Sequence, residues 1–442
     1  MKISVVGTGH VGLVTAACMA HIGHEVLGID EDGDKIARIR AGVVPFLEPG
    51  LPEMVNEGLA SGRLRMSTEV ADAARETGTV FVCVGTPTLE SGEPDLRQVK
   101  RVARTLAAAL VDYVVVVEKS TVPAGTGAAI LATLREVASP SATVDVASNP
   151  EFLQEGHAIR DTLEPTRIVV GADSDRAVET LRRIYRPILD RSGCPFIVTD
   201  IPTAELVKHS NNAFLATKIS FINLVADICE RANADVETVA MAMGLDPRIG
   251  SSFLHAGLGY GGECLPKDVQ AYRYAAEQLG ADFSLLAEVD RINRERQDRF
   301  VEKIEASLGG LHGKHIAIWG LAFKAGTDDL RHAPAINVAQ RLCAAGASVT
   351  AYDPVAVEEA QSQLPEVGFA SGPYGAAQGA DALAICTDWP EFAEADLGRL
   401  RAAMARPIVI DGRNMLDPKA MEDAGFLYMS TGRPTVRGSS PA

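Results

Sequence analysis

The sequence predicts an α/β fold with two Rossmann-like domains joined by a long central helix and an all-helical dimerisation region. Three observations predict it. A glycine-rich turn follows the first apolar run and opens a helix, some thirty residues from Thr203 to Ala232 contain neither proline nor glycine, and an α/β pattern restarts at Lys314. A chain of 442 residues exceeds what one hydrophobic core normally serves. We place the predicted domains at residues 1–200, 201–308 and 309–434, with a disordered tail at 435–442.

The composition is that of a soluble globular protein, with 47% apolar and 23% charged residues. A net charge of −16 argues against nucleic acid as a partner, although a local positive site can still bind an anionic small molecule. The seven cysteines lack paired or metal-ligand spacing, which favours reduced thiols in the cytoplasm and predicts no metal site. The first residues already read as a strand, so no signal peptide is expected, and no apolar run approaches the roughly 18 residues of a membrane span.

The N-terminal segment carries a dinucleotide-binding pattern. The apolar run 2–6 is followed at once by Gly7, Gly9 and Gly12 in the spacing G-x-G-x-x-G, and then by a helical pattern. Gly7 makes the turn, Gly9 lets the backbone meet a pyrophosphate, and Gly12 lets the helix pack on the strand. A second predicted strand ends in Asp30, which is placed to accept from a ribose 2′-hydroxyl and would repel a 2′-phosphate. The glycines alone also fit an ordinary turn, but with both strands and the acid they predict NAD rather than NADP.

Alternating strand and helix signals continue after this pattern. Three apolar runs are predicted as buried strands, at 79–84, 114–117 and 144–147. The loops that follow them carry Thr86, Thr121 and the segment Glu151–Glu155. Ligands of open α/β sheets bind at the carboxyl ends of strands, so we predict that these loops line one crevice. Each loop alone also reads as an ordinary proline-containing turn.

The central region is predicted to be helical. Thr203 is placed to cap the long helix, with Glu205 in its first turn. Lys208 and Asn212 are four residues apart and share one helical face, a pattern that a solvated polar stripe also explains. A long helix after an α/β domain suits a connector that also forms a dimer interface. Further helices are predicted at 236–243, 266–278 and 284–308.

A cysteine ends a glycine cluster in the segment 257–268, G-L-G-Y-G-G-E-C-L-P-K-D. Pro266 suits the first position of a helix, so Cys264 is predicted just ahead of a helix N-terminus, where the dipole favours a thiolate. Lys267 and Asp268 add an ionisable pair in the first turn. A buried, inert cysteine is the ordinary alternative, but the glycines and the charged neighbours favour a reactive thiol.

The C-terminal part repeats the pattern of the start without the full glycine fingerprint. This repetition predicts the second Rossmann-like domain, and the residues after Gly432 are predicted to be disordered. Strands are predicted at 315–319, 348–352, 382–386 and 408–410, a glycine-bearing turn at 320–326 and a helix at 334–345.

Ten stretches of the chain together resemble one known family. They are G-T-G-H-V-G at 7–12, V-G-T-P-T at 84–88, S-T-V-P-A-G-T at 120–126, N-P-E-F-L-Q-E-G at 149–156, K-x-x-x-N at 208–212, D-P-R-I-G at 246–250, G-Y-G-G-E-C-L-P-K-D at 259–268, G-L-A-F-K at 320–324, T-D-D-L-R at 327–331 and D-G-R-N at 411–414. They resemble the UDP-glucose branch of the UDP-glucose/GDP-mannose dehydrogenase family of nucleotide-sugar dehydrogenases. The resemblance implies a homodimer that oxidises the C6 alcohol of a nucleotide sugar to a carboxylate with two NAD⁺.

The resemblance also implies a role for each matching residue. The expected nucleophile is Cys264, and its expected polar partners are Lys208, Asn212, Asp268, Thr121, Glu151 and Glu155. Expected NAD contacts are Gly7, Gly9, His10, Val11, Gly12, Asp30, Lys35, Thr86, Pro87, Thr121, Glu155 and Arg331. Expected substrate contacts are Glu151, Phe152, Leu153, Glu155, Lys208, Asn212, Phe253, His255, Gly257, Tyr260, Gly261, Phe323, Lys324 and Arg413, with Arg248 lent by the partner subunit.

Three residues depart from the family pattern. Glu263 stands where serine is usual, and its negative charge beside the thiol is expected to raise the thiol pKa. His10 replaces a usual tyrosine. Leu265 stands where the UDP-glucose branch usually has phenylalanine, and leucine is commoner in the GDP-mannose branch. This leaves dTDP-glucose and GDP-mannose open as alternative substrates.

The implied chemistry explains why these residue types are needed. Oxidising an alcohol to an acid removes four electrons, and one NAD⁺ takes two. A thiolate adds to the intermediate aldehyde and gives a thiohemiacetal that can donate the second hydride, which leaves a thioester for water. Lys208 and Asn212 are expected to hold the alkoxide or oxyanion. Asp268, Thr121 and a glutamate of the 151–155 loop are expected to manage protons and water.

Two other classes of protein fit parts of the sequence. A two-electron hydroxyacid dehydrogenase would share the NAD domain and the long helix but would need neither the thiol nor Lys324 and Arg413. A non-catalytic NAD- or nucleotide-sugar-sensing module would tolerate Glu263. The NADH yield separates these classes. A nucleotide-sugar dehydrogenase gives two NADH per sugar, a hydroxyacid dehydrogenase gives one, and a sensing module gives none.

Overall fold

The computed structural model describes residues 1–89 and 91–438. Residue contacts divide the chain into two compact units, one formed by Met1–Asn211 with Gln270–Asp282 and the other by Asn212–Val269 with the chain from Phe283 onward. The fold class is confirmed, since each unit contains a mainly parallel sheet of the Rossmann type. The division into 1–200, 201–308 and 309–434 stays a prediction.

The first unit contains an eight-stranded sheet in the order β3-β2-β1-β4-β5-β6-β7-β8. Neighbouring strands are parallel except β6 and β7, which are antiparallel. The strands are β1 Lys2–Val6, β2 Glu25–Ile29, β3 Leu64–Ser67, β4 Thr79–Val82, β5 Tyr113–Glu118, β6 Thr143–Ser148, β7 Ile168–Ala172 and β8 Phe196–Thr199. The helices are α1 His10–His21, α2 Gly33–Arg40, α3 Leu51–Ala60, α4 Val70–Glu76, α5 Arg97–Ala109, α6 Thr126–Val137, α7 Ala158–Leu163 and α8 Asp175–Ser192. The chain order reverses between β1 and β4, which is where such sheets bind dinucleotides.

The first sheet is buried on both faces, which explains why its central strands read as continuous apolar runs. In β5, Val115 and Val117 belong to one hydrophobic cluster, whereas Val114 and Val116 belong to another. Successive side chains of a strand point to opposite faces, so both faces need valine. Four valines in a row therefore fix this strand at the centre of the unit.

Four helices follow the first sheet: α9 Ile201–Ala232, α10 Val236–Gly244, α11 Cys264–Gln278 and α12 Ser284–Leu308. Two predicted helix starts were wrong. Asp200 caps α9, since its Oδ1 accepts from Thr203 N at 2.7 Å, and Thr203 lies inside the helix. Helix α11 begins at Cys264 rather than at Pro266, because proline is tolerated throughout a first turn whose amides have no intrahelical partner.

Helix α9 also bears on the expectation that the chain does not cross a membrane. Within the described residues it is the one helix long and apolar enough for a membrane span, with a mean hydropathy of 1.3 in its best 18-residue window. A core helix of a soluble protein passes the same test. Here the buried Glu205, Lys208 and Asn212 each have polar partners within the fold.

The second unit contains a seven-stranded sheet in the order β11-β10-β9-β12-β13-β14-β15, parallel except for β14 and β15. The strands are β9 His315–Trp319, β10 Ser348–Tyr352, β11 Gly368–Phe369, β12 Ala382–Ile385, β13 Ile408–Asp411, β14 Leu427–Ser430 and β15 Val436–Arg437. The helices are α13 Pro334–Ala344, α14 Val357–Gln363, α15 Pro373–Ala376, α16 Pro390–Ala393, α17 Leu397–Ala403 and α18 Pro418–Asp423.

Strand β15 corrects the expectation that the chain is disordered after Gly432. Val436 and Arg437 pair with β14, and Gly438 N donates to Phe426 O at 2.8 Å. The segment satisfies its backbone polar groups at the edge of the sheet, a contribution that composition does not reveal. The rest of the predicted tail, residues 439–442, lies outside the described residues.

Candidate active site

The G-x-G-x-x-G pattern forms the turn between β1 and α1. Gly7 has φ +95°, and a Cβ there would lie 2.5 Å from Cys83 O. A Cβ on Gly12 would lie 1.8 Å from Gly7 O. In contrast, no atom of the described residues lies within 4 Å of the position that a Gly9 Cβ would take. The turn thus has open space beside the first amides of α1, which fits a pyrophosphate.

Asp30 follows β2 beside this turn. Its Oδ2 accepts from Thr8 N, Thr8 Oγ1 and Lys35 Nζ, each at 2.9 Å. Burial opposes ionisation of this carboxyl, but the hydrogen bonds from Thr8 and Lys35 outweigh it and lower the pKa of Asp30. The negative charge expected to exclude a 2′-phosphate is therefore retained, and the expected cofactor contact Lys35 lies against it.

The other expected cofactor positions in this unit lie at the same edge of the sheet. The His10 ring stacks on Phe46 with 3.8 Å between ring centroids. Thr86 Oγ1 donates to Thr121 O at 2.8 Å, so the loops after β4 and β5 are joined, as predicted for loops at neighbouring strand ends. Two further positions lie in α1 and in the loop after β4: Val11 and Pro87.

Lys208 and Glu151 form a buried ion pair in the first unit. The Lys208 Nζ lies 2.9 Å from Glu151 Oε1, and the two side chains are 5% and 6% exposed. Leu153 N donates to the other carboxylate oxygen at 2.5 Å. A buried charge pair is costly unless both ions have further hydrogen bonds, so its presence marks a functional site more than a stabilising contact. Glu155, the other glutamate of this loop, is half-buried.

Cys264 is exposed and is the first residue of α11 in the second unit. Four residues later, Asp268 is fully buried. Its Oδ2 accepts from Asn212 Nδ2 at 2.6 Å, and its Oδ1 accepts from Lys267 Nζ at 2.8 Å. The thiol is thus not buried, and the expected partners Asn212 and Asp268 contact each other directly.

Glu263, the departure beside the thiol, is paired with Arg331. The guanidinium contacts the Glu263 carboxylate and also donates through Nε and Nη2 to Asp329 at 2.7–3.0 Å. Arg331, an expected NAD contact, therefore lies in the loop after β9 of the second unit between two carboxylates. No motif in the sequence indicated this partner of Glu263.

Two buried asparagines hold the loop that carries several expected substrate contacts. Gly257 N donates to Asn223 Oδ1 at 2.9 Å. Tyr260 N donates to Asn293 Oδ1 at 2.8 Å, and Asn293 Nδ2 donates back to Tyr260 O at 3.0 Å. Sequence reasoning missed both asparagines because each lies inside a long helix without a recognisable motif. The other expected positions in this loop are Phe253, which has φ +64°, the exposed His255, and the buried Gly261.

The remaining expected substrate contacts meet at the carboxyl ends of strands in the second sheet. Arg413 Nε donates to Cys386 O at 2.8 Å, and its Nη2 donates to Phe323 O at 2.9 Å. Lys324 Nζ lies 5.6 Å from the centre of the Phe323 ring. Arg413 is held by Asp411, whose Oδ1 accepts from its backbone amide at 2.8 Å. A cationic cluster at this edge suits a phosphate-bearing ligand.

Arg248 differs from the other expected contacts because its side chain is 87% exposed. It donates to Asp246, two residues earlier, through Nε and Nη2 at 2.6–3.2 Å. No other described residue of this chain engages it. This exposure is what a residue directed to a second subunit requires.

Most of the chain matches models of one protein family. The NAD-binding domain of the UDP-glucose/GDP-mannose dehydrogenase family matches residues 1–189, its central domain 202–295 and its UDP-binding domain 317–418. This chain belongs to the UDP-glucose/GDP-mannose dehydrogenase family. The resemblance drawn from the motifs is thereby confirmed, and so is NAD as the cofactor. The chain is an NAD-dependent nucleotide-sugar dehydrogenase.

Individual relatives agree with this family. UDP-glucose 6-dehydrogenase TuaD of Bacillus subtilis (strain 168) is 42% identical, with 100% of this chain and 95% of that protein covered. UDP-glucose 6-dehydrogenase of Rhizobium meliloti (strain 1021) is 45% identical over 98% and 100%. Among solved structures, a UDP-glucose dehydrogenase from Pyrobaculum islandicum has a TM-score of 0.91 at 37% identity, with 98% of both chains covered. A UDP-D-ManNAc dehydrogenase from Pyrococcus horikoshii has a TM-score of 0.86 at 28% identity, over 98% and 99%.

Proposed function

We propose that this member of the family oxidises the C6 hydroxyl of UDP-glucose to the carboxylate of UDP-glucuronate, consuming two NAD⁺ and one water. The observation that carries the proposal is the pair of polar clusters on α9. Lys208 contacts Glu151, and one turn later Asn212 contacts Asp268, four residues after the exposed Cys264. The relatives named UDP-glucose 6-dehydrogenase favour UDP-glucose over dTDP-glucose or GDP-mannose.

Residues of the first unit hold the cofactor in this proposal. The amides at the start of α1 and the open space at Gly9 take the pyrophosphate, and Asp30 accepts from a ribose hydroxyl. When bound, NAD⁺ supplies the acceptor for a hydride. The cationic Lys324 and Arg413 in the second unit bind the diphosphate of the substrate, and the loop 253–261 binds its sugar and base.

The first oxidation removes the proton of the C6 hydroxyl and a hydride from C6, and NAD⁺ would accept the hydride. Lys208 stabilises the charge that develops on the substrate oxygen, because its ammonium is buried where electrostatic interactions are strong. The buried Asp268 receives the proton through water. The product of this step is an aldehyde.

The second oxidation requires the thiol. The Cys264 sulfur bonds to the aldehyde carbon, and the resulting oxyanion is held by Lys208 and the Asn212 amide. Loss of the second hydride leaves a thioester on the sulfur. Water then adds to the acyl carbon, the C–S bond breaks, and the thiolate is released. Glu151, already held by Lys208 and by Leu153 N, orients that water together with Thr121.

We also infer that two copies associate through α9. Phe214, Phe221 and Ile228 lie seven residues apart on this helix and are 65%, 50% and 65% exposed. A repeat of seven places them along one stripe of a helix. Contiguous exposed apolar side chains are typical of interaction sites. The exposed Arg248 would then serve the active site of the other subunit.

We place this dimer in the cytoplasm, since none of the seven cysteines forms a disulfide within the chain.

The proposal is tested with the purified chain, UDP-glucose and excess NAD⁺. We expect about two NADH for each sugar consumed, with UDP-glucuronate as the product. One NADH per sugar, or none, would favour the two-electron dehydrogenase or the sensing module instead. Cys264→Ala should lose UDP-glucuronate formation while still binding NAD⁺, and full formation by this variant would refute the thiol role. A parallel panel of dTDP-glucose, UDP-N-acetyl sugars and GDP-mannose fixes the substrate.

A further inference from the structure

Arg167 lies next to the Lys208–Glu151 pair and belongs to none of the motifs described above. It immediately precedes β7 in the first unit. Its guanidinium carbon lies 3.8 Å from the centre of the Phe152 ring. Its Nη2 donates to Asn211 Oδ1 at 2.9 Å, and its Nη1 donates to Thr166 Oγ1 at 3.1 Å. The side chain therefore touches the loop after β6 and helix α9 at the same time.

Arg167 is a partly buried cation with neutral partners. Within residues 1–89 and 91–438, no carboxylate lies within 4.0 Å of its guanidinium, and burial lowers the pKa of Arg167. Desolvating a charge without a counter-ion is costly, and a stacked aromatic face and two uncharged acceptors offset only part of that cost. The side chain is therefore held by a ring and by neutral acceptors rather than by an ion pair.

The two segments that Arg167 joins also carry the buried ion pair. Phe152 directly follows Glu151, and Asn211 lies three residues after Lys208 on α9, close to one turn. We propose that Arg167 is a positioning residue that keeps Glu151 and Lys208 in register for the reaction. This inference rests on the proposed function, because it assigns roles in catalysis to both members of the pair.

The geometry explains why arginine is required at this position. A planar guanidinium can stack on a ring and donate in its own plane to an amide at the same time, whereas an ammonium is a point charge on a flexible stem. Phe152 also faces the Lys208 ammonium, with 5.7 Å between Nζ and the ring centre. A displaced Phe152 would therefore disturb both members of the ion pair: Glu151, which precedes it in the chain, and Lys208, which faces its ring.

The experiment compares Arg167→Ala, Arg167→Lys and a matched control, Arg182→Ala. Arg182 also stacks on an aromatic ring of the first unit, with 4.4 Å to the centre of Phe196, but it lies on α8. We expect both Arg167 variants to lose about 10- to 100-fold in kcat, since small displacements of catalytic groups cost on the order of 100-fold. The KM for NAD⁺ should remain within about twofold of the parent value, and Arg182→Ala should keep its kcat.

Three results would overturn the proposal. One is an unchanged kcat in Arg167→Ala. Another is recovery of kcat by Arg167→Lys together with a raised KM for UDP-glucose in Arg167→Ala, which would make Arg167 a charge that binds substrate. The third is loss of activity only in proportion to a lower thermal midpoint, which would make its role purely structural.

Hydrogen exchange separates failure of this proposal from failure of the proposed function, because it needs no turnover. The Leu153 amide donates to Glu151, so its exchange reports whether the loop keeps its place. We expect peptides covering 149–156 to exchange faster in Arg167→Ala than in the parent and in Arg182→Ala. Equal protection in all three would overturn the positioning role, even if the parent proved inactive on UDP-glucose.

Discussion

Glu263 brings a negative charge next to the proposed nucleophile, and Arg331 compensates it. If Arg331 cancels the effect of the Glu263 charge on the Cys264 thiolate, Arg331→Gln should raise the thiol pKa. Adding Glu263→Gln to that variant should reverse the effect. Two unit charges about 4 Å apart interact with about 1 kcal/mol in water, which is less than one pKa unit. We therefore expect the alkylation rate of Cys264 near neutral pH to fall by roughly two- to fivefold in Arg331→Gln and to recover in the double variant.

Alkylation by iodoacetamide, followed by mass spectrometry of the Cys264 peptide, measures this effect directly. Three of the other thiols interfere little, since burial raises the pKa of Cys18, Cys83 and Cys386 to about 12. The remaining thiols are separated from Cys264 by their own peptides. The unaltered protein and Glu263→Gln alone are the controls. Equal rates in the parent, Arg331→Gln and the double variant would contradict the compensation.

Lys208 is expected to contribute both to the reaction and to the fold. Lys208→Ala should lower kcat by about 100- to 1,000-fold, as removal of one oxyanion donor does. It also leaves the buried Glu151 carboxylate without its partner, so stability should fall by about 3–5 kcal/mol. Adding Glu151→Gln should restore most of that stability without restoring kcat. Measured kcat and urea unfolding of both variants test this, with Lys100→Ala on the exposed face of α5 as control. An unchanged kcat would remove Lys208 from the mechanism.

At the scale of single residues, the sequence singled out candidates but not all of their partners. The spacing of Lys208 and Asn212 on one helical face, and of Cys264 and Asp268 at a helix start, drew attention to them, whereas their catalytic roles come from the resemblance and stay predictions. Arg331 was assigned to the cofactor without any indication that it meets Glu263. Ion pairs between residues far apart in the chain depend on how elements pack, and a single sequence carries no signal for that.

At the scale of elements, most predictions held within two residues and the errors have local causes. Helix α9 starts at Ile201 because Asp200 provides the capping oxygen, whereas Thr203 had the same capping chemistry three residues later. Strand β15 pairs through its backbone, so a polar, proline-containing sequence gave no sign of it. Strands with uninterrupted valines, such as β5, were predictable because burial on both faces allows few other residues.

Two buried carboxyls, Glu118 at the end of β5 and Glu205 on α9, make stability depend on pH. Burial raises the pKa of Glu118 to about 8, with Ser120 hydrogen bonds and nearby Glu205 as lesser influences. Burial raises the pKa of Glu205 to about 7, although Gly127 N and Gly125 N donate to it. A raised carboxyl pKa means that the folded state holds a proton that the unfolded state has lost. Stability therefore declines as pH rises from about 4.5 to about 8.

Glu118→Gln should remove part of this decline, because one Glu118 oxygen has no hydrogen-bond partner within the described chain and its charge is uncompensated. We expect the variant to gain more than about 1.4 kcal/mol over the parent at pH 8.5, the equivalent of one pKa unit, and little at pH 5. Urea unfolding at the two pH values measures the difference. Glu136→Gln, an exposed change on α6, should show no pH-dependent gain. An equal gain at both pH values would mean that ionisation of Glu118 is not the cause.

At the scale of the whole molecule, the two sheets share one strand order, β3-β2-β1-β4-β5-β6 in the first and β11-β10-β9-β12-β13-β14 in the second. They differ in the aspartate that follows the second strand of each. In the first unit, Asp30, the expected ribose contact, is only half-buried beside the open glycine turn. In the second, Asp353 is buried and accepts from Leu321 N and Ala322 N and from Trp389 Nε1, so its carboxylate lies inside the fold. The same topology thus suits a dinucleotide in one unit only, which agrees with the separate NAD-binding and UDP-binding matches.

In the proposed dimer, activity depends on assembly. Phe221 lies between Phe214 and Ile228 in the exposed stripe of α9, so Phe221→Glu would place a charge at the centre of an apolar contact. We expect this variant to sediment as a monomer at micromolar concentration while the parent sediments as a dimer. Its kcat should fall with dissociation, because Arg248 of one subunit would no longer reach the other. Leu279→Glu is the matched control, since Leu279 is 73% exposed but lies outside the stripe. A dimeric, fully active Phe221→Glu would show that this face of α9 does not join the subunits.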